Sequence, residues 1–96
     1  MQTISLKSNS PDTTIPLLVN AINREKRILV ESIRATKERI MGTSKSLGID
    51  IEKLMEGMVE HNESNEMQLI ELEGEIDILR HLETELNELD SIEICK

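Results

Sequence analysis

Ninety-six residues, a net charge of −8 and no Phe, Tyr or Trp describe one small domain whose core must be built from Leu, Ile, Val and Met. The missing aromatics remove the stacking platforms of single-stranded nucleic-acid binders, and the negative balance opposes phosphate backbones. No apolar run approaches the roughly 18 residues that cross a membrane. The N-terminus "MQTISLKSNSPDTT" lacks a signal-peptide core, and a lone cysteine, Cys95, cannot close an internal disulfide. These features predict a cytoplasmic protein with neither nucleic acid nor membrane as its partner.

The charge is unevenly spread. Residues 1–49 hold eight Lys/Arg and four Asp/Glu, whereas residues 50–96 hold three Lys/Arg and fifteen Asp/Glu. A basic first half laid against an acidic second half leaves a large negative excess, which steers basic proteins inward.

Residues 2–7, "QTISLK", alternate Ile4 and Leu6 with polar residues, a strand signature closed by "SNSPD". Residues 1–12 therefore form an extended or disordered arm. If ordered, it pairs with its copy in a dimer or extends a partner's sheet through Ile4 and Leu6. Residues 13–96 form a single helical domain.

The first helix is expected over about residues 15–47, with Thr14 as N-cap and Pro16 in the first turn. Ile15, Val19, Ile22, Lys26, Leu29, Ile33, Thr36, Ile40, Thr43 and Leu47 advance in alternating steps of four and three, a heptad seam. The seam runs through Gly42, an interior glycine costing about 1 kcal/mol relative to Ala, and Gly48 then stops the helix. The competing reading ends the helix at Gly42.

Asp50 is a good N-cap for a short helix over about residues 51–60, with Ile49 and Leu54 as a hydrophobic staple. "HNESN" interrupts the apolar pattern, and Asn65 with Gln68 resembles a capping box opening a long helix over about residues 65–91. The alternative is one continuous helix from residue 51, with Asn62 and Asn65 as buried register markers. Either way the chain is all-α: an antiparallel helical hairpin with coiled-coil-like packing, expected to form a homo-oligomeric bundle.

In the last helix Leu69, Leu72, Ile76, Leu79, Leu82, Leu86 and Leu89 recur at a mean step near 3.3 residues. That is short of the helical 3.6, so the stripe turns through about 160°. One straight neighbour covers Leu69 to Leu79, while Leu82, Leu86 and Leu89 turn elsewhere. Ile70, Gly74 and Ile78 form a second ridge at four-residue spacing that continues into Leu82, with a notch at the glycine. A helix of a second copy, or a foreign partner, fills such a notch; otherwise the glycine is incidental.

No catalytic constellation is legible. His61 and His81 share no motif, and neither has an acid three residues before it, as a metal–carboxylate bundle requires. Glu71, Glu73, Glu75 and Asp77 alternate by two, which scatters them around a helix. The methionines, Met55 and Met58 among them, read as core filler, and Cys95 reads as a free exposed thiol. The sequence thus implies no enzyme, metal or cofactor.

"ESIRATKERI" (31–40), "SLGIDIEKLMEG" (46–57) and "LEGEIDILRHLETELNELDSI" (72–92) resemble a group of short helical prokaryotic proteins. These carry a T-x-x-R-I helix, a K-Y-G-M-S-x-E-E-F turn and a final E-W-x-G-E-I-E-x-L-x-x-L-E-x-E-L helix. The group is similar to the antitoxin-like members of toxin–antitoxin pairs. By position Gly48 matches the turn glycine, and Gly74, Glu75 and Ile76 match the G-E-I. Leu47, Leu54 or Met55, and Ile70 to Leu72 stand where aromatics are usual; if those aromatics are partner anchors, this chain grips its partner differently or grips a different one.

The resemblance implies a protein that binds and neutralises a toxin; the apolar surfaces read from the spacing, Ile70, Gly74, Ile78, Leu82, Leu86 and Leu89, would supply the contact, aided by Ile4 and Leu6. A self-assembling structural or adaptor protein is the alternative. A DNA-binding repressor is suggested only by "TISLK" before a helix, and the net charge opposes it.

Overall fold

The computed structural model describes the backbone of residues 2–5 and 7–95 and the side chains of residues 7–92. The elements are β1 (Gln2–Ser5), α1 (Pro11–Leu47), α2 (Ile51–Met55), α3 (Glu66–Asp90) and β2 (Ile92–Cys95). The architecture is an all-α hairpin of two long helices, with a short third in the turn and a two-stranded ribbon joining its ends.

α1 and α3 run antiparallel. Lys26 near the middle of α1 meets Asp90 at the end of α3 (3.1 Å), and Arg39 further along α1 meets Glu75 earlier in α3 (3.4 Å). The heptad seam is where α1 is covered: Leu29, Ile33, Thr36 and Ile40 are buried. Thr36 is tolerated there because its hydroxyl donates to the Ser32 carbonyl (2.7 Å) and accepts from Arg39 (3.1 Å). The core proper lies at the turn end, where Ile40, Leu54, Leu69, Leu72 and Ile76 cluster with Leu47, Ile49 and Ile51 against them.

Two glycines end helices in the same way. At Gly48 (φ 66°) the Ile49 N–H reaches back to the Ser44 carbonyl (3.0 Å) and the Gly48 N–H to that of Lys45 (3.2 Å). Gly57 (φ 73°) repeats the motif, with Met58 bonded to Lys53 (2.9 Å) and Gly57 to Leu54 (3.1 Å). Both use the left-handed conformation open to glycine. The first stop is the expected one, and it rules out an α1 ending at Gly42. The second shortens α2 to Met55 rather than residue 60.

Asp50 caps α2 as expected, its carboxylate accepting from the Glu52 N–H at 2.9 Å. The cap before α3 is different. Asn65 turns its side chain back, accepting from the Asn62 N–H (2.8 Å) and donating to the Glu60 carbonyl (3.2 Å), so no capping box forms. Asn62 instead accepts from the N–H groups of Ser64 (2.9 Å) and Asn65 (3.1 Å). This turn breaks the chain between α2 and α3 and excludes one continuous helix from residue 51.

α1 starts at Pro11, earlier than the expected Thr14 cap. Proline at the first helical position fixes φ and lacks only an N–H that would have no partner anyway. Pro16 falls inside the helix, five residues on, and Thr14 uses its hydroxyl on Ser8 (2.7 Å) instead of capping.

β1 pairs in parallel with β2, Gln2 opposite Ile92 and Ser5 opposite Cys95. The whole hairpin is the crossover that a parallel pair requires. This in-chain partner was not among the expected pairings for the N-terminal arm. Leu6 and the side chains of Ile4 and Cys95 lie outside the described residues.

The result is a rod of 61 × 21 × 16 Å with a radius of gyration of 19.2 Å, against about 12–13 Å for a compact chain of this length. No helix among the described residues is long and apolar enough to cross a membrane.

Candidate partner-binding surface

Packing of α3 on α1 leaves one face of α3 open. Leu69, Leu72 and Ile76 point into the core. At about 100° per residue, Ile70, Gly74 and Ile78 lie on the opposite side of the helix. Ile70 is 55% and Ile78 50% exposed, and Met67, one turn earlier on the same face, is 72% exposed. A Cβ built on Gly74 meets no atom within 4 Å. The notch is therefore open, and nothing within the chain needs glycine there.

The other residues expected to face a partner divide differently. Leu82, Leu86 and Leu89 are half-buried, covered partly by α1 as the stripe winds around α3. They do not join the exposed ridge. Ile4 contributes its backbone to β1, opposite Ile94, at the far end of α3 from the notch.

The four methionines among the described residues do not fill the core. Met41, Met55, Met58 and Met67 are all exposed. Met67 is the ridge residue that the sequence reading passed over. Its position three residues before Ile70 is the signal that marks it.

The rim of the ridge is acidic. α3 carries nine Asp/Glu and one Arg, with Glu66, Glu71 and Asp77 exposed around the apolar stripe. His81 follows Ile78 by one turn and lies 2.7 Å from Glu85, while His61 lies 3.5 Å from Glu73. Both histidines are exposed. On one side of the hairpin seam, Arg39, Gly42, Thr43, Glu71, Leu72 and Glu75 line a cleft of mixed polarity bridged by the Arg39–Glu75 pair. Among the described residues no three His, Cys, Asp or Glu side chains gather as a metal site.

The arrangement offers two recognition elements: an aliphatic stripe with a backbone-deep notch, and an acidic frame. No protein-family model, curated protein or solved structure matches this chain.

Proposed function

We propose that this chain is a non-enzymatic protein-interaction module of the antitoxin type, which binds and neutralises a basic toxin in the cytoplasm. The open Ile70–Gly74–Ile78 ridge carries the reading. Burying what remains exposed of Met67, Ile70 and Ile78 is worth about 1–2 kcal/mol apiece, so the stripe is an anchor of useful affinity. Gly74 admits a bulky side chain or a helix backbone at its midpoint.

The acidic frame supports a cationic partner. It raises the encounter rate and penalises acidic competitors, while the apolar ridge supplies most of the residence time. With no aromatic in the chain, the aromatic hot spots of such an interface belong to the partner. Coiled-coil-like pairing of α1 with α3 provides the stiff support that a flat helical epitope needs.

Co-expression with the product of the adjacent gene tests the proposal. The expected outcome is a complex that co-elutes at low salt, weakens as salt rises, and relieves any growth arrest caused by that product alone. Separate elution at low salt would contradict it, as would a complex that survives Ile70→Glu and Ile78→Glu together.

A further inference from the structure

The rod is thin for its mass. It exposes 7354 Å², whereas a compact monomer of 10.9 kDa exposes about 5,600 Å². The excess of about 1,800 Å² exceeds the roughly 800 Å² that each partner contributes to a stable interface.

The apolar part of that excess includes a second surface, distinct from the ridge. On the side of the α1–α3 seam away from the Arg39–Glu75 pair runs a furrow lined by Lys37, Ile40, Met41, Ile51, Ile76 and Leu79. It continues past Lys37 to Val30, Ile33, Glu83 and Leu86. Met41 on its wall is 62% exposed and Val30 50% exposed. Neither Lys37 nor Glu83 makes an ion pair among the described residues.

We propose that a second copy of this chain fills this furrow. The product is a two-fold symmetric four-helix bundle in which each α1 lies over the other copy's α3. Charge selects that arrangement. α1 carries seven Lys/Arg and four Asp/Glu, and α3 carries one Arg and nine Asp/Glu. Two furrowed rods can meet face to face with the symmetry axis along the rod or across it. An axis across the rod stacks α3 on α3 and opposes two strongly negative helices. An axis along the rod stacks basic α1 on acidic α3 twice, and brings each Lys37 to the acidic side of its copy, where Glu83 lines the furrow. The ridge of Met67, Ile70 and Ile78, on the back of α3, stays outside this bundle and free for a different partner.

Sedimentation equilibrium on the full chain tests the association. Wild type is expected at twice the chain mass. Met41→Glu and Val30→Glu, at positions already exposed in the single chain, are expected at the chain mass with unchanged helical circular dichroism, and Ile70→Glu is expected to remain dimeric. A wild-type monomer would overturn the proposal. So would a dimer that survives both furrow substitutions or dissociates with Ile70→Glu.

Orientation is read separately from nitroxides at Asp12→Cys in a Cys95→Ser chain. Parallel rods hold the two labels on the order of one rod width, 21 Å, apart. Antiparallel rods paired about the furrow hold them about 75 Å apart, and that distance would overturn the charge argument.

Discussion

Gly74 costs its own helix about 1 kcal/mol relative to alanine, and nothing in the folded chain repays it. Its backbone is helical, and a Cβ there meets no atom within 4 Å. Gly74→Ala should therefore stabilise the unbound protein by about 0.5–1 kcal/mol. For a domain of this size each kcal/mol moves Tm by roughly 4–8 °C, so thermal unfolding followed by circular dichroism resolves the effect. Gly42→Ala is the matched control: it too is helical, with nothing within 4 Å of its Cβ, and the same gain is expected.

The two sites separate on binding. Gly74→Leu keeps a strong helix former but fills the notch, and is expected to weaken partner capture by about tenfold or more, or about 1.4 kcal/mol. Gly42→Ala should leave capture unchanged. The reasoning fails if Gly74→Ala lowers Tm, since the notch would then be occupied within the protein itself. It also fails if Gly74→Leu binds as tightly as wild type.

Gly57→Ala should lose about 1 kcal/mol in denaturant titration, because a φ of 73° suits glycine and strains alanine. Leu72→Ala empties a site only 1% exposed and should cost about 2–5 kcal/mol, enough to leave much of this thin-cored chain unfolded by circular dichroism at room temperature. Asp50→Ala removes the 2.9 Å cap to Glu52 and should cost about 1 kcal/mol, measured the same way. Ser5→Cys should form a disulfide with Cys95 within one chain under mild oxidation, since their Cα atoms are paired in register. A product linked only between chains would contradict the β1–β2 pairing.

The legible parts of this fold are those specified locally. Ile33, Ile40 and Leu47 kept a seven-residue step through Gly42, and α1 follows it to Leu47. Gly48 and Asp50 set a stop and a start within three residues, and both operate. Gly57 carries an equally local signal, a glycine less than two helical turns after the Asp50 cap, but the apolar Met58 and Val59 beyond it mask the stop. Asn62 and Asn65 both read as breakers, yet which of them caps depends on whose side chain reaches whose N–H, a matter of geometry rather than composition.

β2 was hidden for a different reason. Ile92 extends the apolar stripe of α3, so nothing local separates it from a helix end; its strand partner is Gln2–Ser5, at the other end of the chain. At the candidate site, the spacing of Ile70, Gly74 and Ile78 sets them on a different side of α3 from the core stripe, and all three are exposed, whereas Leu82, into which the same spacing continues, is half-buried. The fate of Leu82, Leu86 and Leu89 depended on how far α1 follows the winding stripe, which periodicity alone does not fix.

The most direct test is to titrate the isotope-labelled chain with the purified product of its neighbouring gene and follow amide and isoleucine methyl signals. The account predicts that Met67, Ile70, Gly74 and Ile78 shift together, while Val30 and Met41 in the furrow do not. Perturbations confined to the furrow or to the ends of the rod would contradict it, as would no perturbation at all.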